Sequence, residues 1–154
     1  MTSILAIDPG LSGAVCRLTN GIPELRRDFK TLPDIARAIK DLSADVTHAV
    51  IELVHAMPGQ GVCSMFSFGR AAGVADGALA LSLPQLIVES VTPQKWQNWF
   101  RARYGIVKGQ QFNSRELALQ IFPDKADFFR RVKDHNSADA VLLAHWKAEQ
   151  LAGT

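Results

Sequence analysis

Three acidic residues of this 154-residue sequence stand where a carboxylate is costly to place. Asp8 ends the uninterrupted apolar run Ile4-Leu5-Ala6-Ile7, Glu52 follows Ala49-Val50-Ile51, and Asp139 lies between Ala138 and Ala140 in KDHNSADAVLLA. A carboxylate desolvated at the end of a buried strand needs a hydrogen-bonding partner or a cation. Alone, Asp8 before Pro9-Gly10 reads equally well as a turn residue. Together, three acids delivered by two strand ends and one helix form an oxygen donor set for one or two Mg²⁺ or Mn²⁺ ions. The chemistry of such a centre is phosphodiester hydrolysis: one ion lowers the pKa of an attacking water and the other stabilises the leaving 3′ oxygen. His135, four residues before Asp139, shares its helix face if the helix reaches that far, and reads either as a further ligand or as a capping or surface histidine. Asp134 and Asn136 are the other polar candidates, and Asn136 also suits an N-cap.

The elements that must position these acids are legible in the patterning. Ile4–Ile7 has the continuous apolar character of a strand buried on both faces. Gly13–Leu18 and Ile22–Phe29 read as second and third strands around the Asn20-Gly21 hairpin signal, giving an antiparallel meander. Residues 34–42 have helical spacing, with Pro33 near the start. Thr47–Val54 is a fourth strand carrying Glu52. A loop marked by Pro58, Gly59 and Gly61 leads to a long buried helix over 64–83. There Gly69, Gly73 and Gly77 leave one face nearly bare, open to close approach by a backbone of the same chain or of a second copy. Leu86–Val91 is a fifth strand. Thr92-Pro93 opens a helix whose Trp96, Trp99 and Phe100 read as core. Shorter helices follow over 114–122 and 134–151. The order β-β-β-α-β-α-β-α-α-α specifies one α/β domain, residues 1–154, built on a mixed five-stranded sheet flanked by helices.

Composition is that of a globular protein: 47% hydrophobic and 21% charged residues. No apolar run is long enough to span a bilayer, and MTSILAIDPG lacks a secretory pattern, so a cytoplasmic location is expected. Cys16 and Cys63 have no metal-site spacing and read as reduced, core or near-core thiols. The net charge of +2 is unevenly placed: residues 1–92 hold seven Lys/Arg against nine Asp/Glu, whereas 95–133 hold nine against three. A basic segment beside an acidic centre fits a polyanionic substrate, although a solvated basic face would look the same.

The blocks IDPGLSGA, IELVHAMPGQGVCSMFSFGRAAG, VTPQKWQ and KDHNSADAVLLA resemble, in that order and across nearly the whole chain, the RuvC-type Holliday-junction resolvases of the RNase H-like superfamily, especially their phage-borne branch. The resemblance implies an RNase H-like fold and a homodimeric, Mg²⁺-dependent endonuclease that nicks four-way and other branched DNA junctions in pairs. It is encoded, on this reading, by a bacterium or its phage. Asp8, Glu52 and Asp139 match the family's metal-binding acids. Asn136 stands where the family often has Asp or His, leaving the fourth role to His135 or Asp134. The resemblance places DNA contacts on Lys95, Lys108, Arg130, Arg131 and Lys133. Phe66 and Phe68 would insert at or brace the junction centre, or serve core or dimer packing. The competing expectations are an RNase H-like nuclease for RNA–DNA hybrids or flaps, and a junction-binding module without catalysis. An actin- or sugar-kinase-like ATPase needs two such lobes in a longer chain.

Overall fold

The structure, a computed structural model, describes residues 1–53 and 55–153. Its centre is β1 (Ser3–Asp8), buried at all six positions. Side chains alternate across a strand, so each neighbouring residue of an all-apolar run meets a different layer. Ile4 and Ala6 join one core with Cys16, Leu18, Val50 and Val91. Leu5 and Ile7 join the other with Val15, Ala49 and Ile51.

β2 (Ala14–Thr19) pairs antiparallel with β1, and β3 (Ile22–Arg27) pairs antiparallel with β2. Asn20 and Gly21 between them both take positive φ, at 51° and 79°, as the tight hairpin turn requires. β4 (His48–Glu52) runs parallel to β1 on its other side, and β5 (Val88–Val91) parallel to β4. The strand order is β3-β2-β1-β4-β5. It is the mixed sheet with an antiparallel first half expected from the sequence.

Helices cover both faces. α1 (Leu32–Leu42) and α2 (Val62–Ser82) close the Leu5/Ile7 side. α3 (Pro93–Tyr104), α4 (Ser114–Ile121) and α5 (His135–Ala152) close the Ile4/Ala6 side. Trp96 and Phe100 of α3 are fully buried there. Burial of a side chain such as Phe100 contributes about 2–3 kcal/mol. Two 3₁₀ stretches, Pro123–Phe129 and Val132–Asp134, link α4 to α5.

Several expectations are corrected. β3 stops at Arg27 rather than Phe29, because Asp28 turns into the left-handed region at φ 60° and leaves the ladder. β4 ends at Glu52, and Val54, assigned to that strand from the sequence, lies outside the described residues. α2 is not a buried helix. Its buried residues are Ala71, Ala75, Ala78 and Leu79, whereas Val62, Phe66 and Leu81 are exposed. Three alanines and Leu79 on one side are enough to seat it against α1, and Val62, Phe66 and Leu81 are left to solvent. Cys63, near its start, is accordingly exposed, while Cys16 is buried; both are free thiols. No helix among the described residues is long and apolar enough to cross a membrane.

Candidate active site

Strand alternation decides where the first two acids go. Asp8 has the parity of Ile4 and Ala6, and Glu52 that of Val50, so both leave the sheet toward α3 and α5. β1 and β4 pair in register as far as Ile7↔Ile51, and one further step sets Asp8 level with Glu52. α5 packs against β1 and β2 and brings Asp139 from its second turn. The flanking alanines, Ala138 and Ala140, are fully buried and permit this close approach.

The three carboxylates perturb one another. Burial, then the charges of Glu52 and Asp139, raise the Asp8 carboxyl well above the usual range. Burial also raises Glu52, opposed by a hydrogen bond that Trp96 Nε1 donates to Glu52 Oε2 at 2.9 Å. Burial pushes Asp139 up to about 7, with the Ser114 hydroxyl pulling it down and Glu52 pushing it further up. No cation is among the influences on any of the three. A mutually repelling, oxygen-only set of acids fits a hard divalent ion, which would relieve the repulsion and restore full ionisation. Among the described residues, no group of three or more His, Cys, Asp or Glu is arranged to hold an ion as it stands.

The loop after Asp8 is held from two sides. Gly10 takes φ 127° and a Cβ there would sit 3.2 Å from the Phe68 ring, so α2 packs on the loop. Asn136 Nδ2 donates to the Ser12 carbonyl at 2.8 Å, tying the same loop to α5. Asn136 thus has a fixed role at the position where a fourth ligand was sought.

The two other candidates for that role differ in their surroundings: Asp134 is buried and His135 is exposed. Asp134 is buried, and its oxygens accept from Arg131 N at 2.7 Å and Arg131 Nε at 2.8 Å, with Arg27 Nη1 at 3.1 Å. Burial alone would raise this carboxyl, but Arg131 and Arg27 outweigh it and hold it below its ordinary value. His135 is exposed, and its backbone carbonyl accepts from Ser114 Oγ at 3.4 Å.

The basic candidates are spread around this face. Lys95 is exposed on α3, 3.6 Å from Glu89 and over the Trp146 ring. Lys108 is at an exposed loop tip beside Gly109, which has φ 93°. Arg130 is exposed and paired with Asp127. Arg131 is engaged by Asp28 and Asp134, so its guanidinium is committed to the fold, whereas Lys133 is exposed. Phe66 is exposed, and Phe68 lies against Gly10.

Trp96 and Ser114 were missed as functional residues. Trp96 reads as core from its spacing and is core; only the strand register shows that its N–H reaches Glu52. Ser114 opens α4 with no local mark, and its link to Asp139 spans 25 residues.

No protein-family model matches the sequence, and no curated protein matches it. Among solved structures, the chain is similar to Thermus thermophilus RuvC in complex with a Holliday junction substrate, with TM-score 0.64 and 12% identity over 97% of this chain and 96% of that one. A second Thermus thermophilus RuvC structure gives TM-score 0.63 and 14% identity over the same shares. The fold is therefore the RNase H-like fold of RuvC.

Proposed function

We propose that this chain is a metal-dependent, structure-selective endodeoxyribonuclease that resolves four-way and other branched DNA junctions by paired hydrolytic nicks. The observation that carries the reading is the meeting of Asp8, Glu52 and Asp139 on one face of this fold, each carboxyl raised by burial. It is supported by whole-length similarity to a structure of RuvC in complex with a Holliday junction substrate.

In this reading Asp8, Glu52 and Asp139 hold Mg²⁺, or Mn²⁺ in its place. When bound, the ion supplies Lewis-acid activation of water and charge stabilisation at the leaving 3′ oxygen. The chain supplies the rest. Trp96 fixes one Glu52 oxygen through its N–H, and Ser114 orients Asp139 from α4. Phe68 and Asn136 keep the Asp8 loop from drifting. The exposed cations Lys95, Lys108, Arg130 and Lys133 provide sequence-independent phosphate contacts.

Paired nicks need two centres. The open side of α2 offers a surface for a second copy: Val62 and Phe66 are exposed, and Cβ atoms at Gly69, Gly73 and Gly77 would meet nothing within 4 Å.

The test is cleavage of a labelled four-way junction with Mg²⁺ or Mn²⁺, alongside a linear duplex and an RNA–DNA hybrid, for the wild type and Asp8→Asn. Paired nicks close to the branch point in the wild type, and none in the variant, are expected. Cutting of the hybrid but not the junction would replace this reading with an RNase H-type one. Junction binding without nicking in either metal would leave only a binding module.

A further inference from the structure

A cleft of about 470 Å³ lies between the β1–β2 loop, the turn from β3 into α1, and the start of α5. Ser12 and Gly13 form one wall; Asp28, Lys30, Arg131 and Lys133 line the rest. We propose that this cleft binds a backbone phosphate of the same DNA, with Lys30 and Lys133 as its ligands. The proposal rests on the nuclease reading and extends it to a phosphate next to the one attacked.

Charge balance is the first argument. Four cations, Arg27, Lys30, Arg131 and Lys133, face two carboxylates, Asp28 and Asp134. Asp134 is buried and taken by Arg27 and Arg131. Asp28 is oversubscribed: Arg131 Nη2 approaches its two oxygens at 2.8 and 3.1 Å, Lys133 Nζ one of them at 3.6 Å, and Arg27 Nε at 3.8 Å. Lys30 makes no ion pair among the described residues. Two positive charges are therefore left over in a concavity, where low-dielectric walls strengthen their pull on an anion.

Donor availability chooses the ligands. The Arg131 guanidinium has Nε and Nη2 committed to carboxylates, and Arg27 is held by Asp134 and the carbonyls of Asp127 and Phe128. Lys133 is two-thirds exposed, with only the long contact to Asp28, and Lys30 is exposed. These ammonium groups have N–H donors to give. Asp28 acts as the fulcrum: its left-handed backbone turns the end of β3 so that one carboxylate gathers cations from two segments, Arg27 and the Arg131–Lys133 stretch.

Position links the cleft to the centre. Gly13, on the cleft wall, is packed so tightly against the end of β1 that a Cβ there would stand 2.0 Å from the Asp8 carbonyl oxygen. The β1–β2 loop thus runs from Asp8 directly into the cleft wall, the path by which a strand held at the acids would reach it.

The test measures binding of a fluorescent four-way junction and a linear duplex across a salt series. It compares the wild type, Lys30→Gln, Lys133→Gln, the double variant, and Lys40→Gln, on the exposed last turn of α1, as a control. Thermal melting verifies folding of each. Each cleft variant is expected to weaken both DNAs alike and to lower the slope of log affinity against log salt by about 0.9, and the pair by about 1.8. The control should keep the wild-type slope. A folded double variant with an unchanged slope overturns the cleft and leaves the nuclease reading standing. A wild type that neither binds nor nicks the junction overturns both.

Discussion

Trp96 Nε1 donates a hydrogen bond to Glu52 Oε2 at 2.9 Å, joining α3 to the end of β4. The indole is wholly buried, so one side chain serves both the core and the acid. Trp96→Phe keeps most of the ring and removes the donor. Glu52, already raised by burial, then loses the one influence holding it down. The acidic limb of the pH–rate profile for nicking should move to higher pH. Denaturation at pH 8 should show a loss of about 2 kcal/mol for the missing charge-assisted bond, on top of a pH-independent loss of about 1–2 kcal/mol for the vacated volume. At pH 5, where Glu52 is more protonated, the first part shrinks. Equal losses at both pH values would mean that the bond does not depend on the charge of Glu52.

The raised acids push the stability of the metal-free protein down as pH rises, against His145, which burial holds low and which acts the other way. A carboxyl whose folded pKa exceeds its unfolded one binds extra protons when folded, so stability falls as pH rises between the two values. For Asp139 that window runs from 3.8 to about 7, and Asp8 and Glu52 act in the same direction. In chelator, the melting temperature should therefore drop from pH 5 to pH 8. Asp139→Asn should flatten part of that slope and melt higher than the wild type at pH 8. Millimolar Mg²⁺ should recover the lost stability in the wild type and not in Asp139→Asn. A metal-free protein that grows more stable across this range would contradict the coupled-acid centre.

Gly13 tests how tightly Asp8 is positioned. A Cβ there would stand 2.0 Å from the Asp8 carbonyl oxygen and 3.1 Å from that of Gly10. Both obstacles are backbone, so Gly13→Ala must move the loop that follows the acid. A loss of about 3 kcal/mol or more is expected, with nicking abolished. Gly109→Ala makes the comparison. At φ 93° with nothing within 4 Å, it adds backbone strain alone, about 1–2 kcal/mol. Denaturant midpoints of the two variants would separate clash from strain.

Much of this was legible because it is local. The apolar run before Asp8 fixed a strand buried on both faces, the Asn20-Gly21 pair fixed the hairpin, and the apolar runs before Asp8 and Glu52 marked two acids at strand ends. What resisted reading depends on contacts distant in sequence. Asp134 was a candidate ligand, yet Arg27 and Arg131 claim it, and Arg27 is 107 residues away. Asn136 looked like a cap and is tied to Ser12 across 124 residues. The small and apolar residues of α2 suggested burial, but small side chains also suit a helix with an open side. Composition does not distinguish the two.

That open side gives the last prediction. Gly73 lies within α2, where an added Cβ would meet nothing within 4 Å among the described residues beyond the adjoining turns of its own helix. Gly73→Arg places a long, charged side chain among exposed Val62, Phe66 and the other glycines of the stripe. Within one copy it should be tolerated or even stabilising, by about 0.5–1 kcal/mol, because glycine is a poor residue for a helix interior. Between two copies it would block backbone approach and place an unpaired charge in the contact. Sedimentation should therefore show a dimeric wild type and a monomeric Gly73→Arg whose denaturant midpoint is undiminished, and junction nicks by the variant should lose their pairing. A wild type that sediments as a monomer, or a variant that still dimerises and cuts in pairs, would remove α2 as the seam. Loss of fold together with loss of dimer would instead show that the stripe packs within one chain.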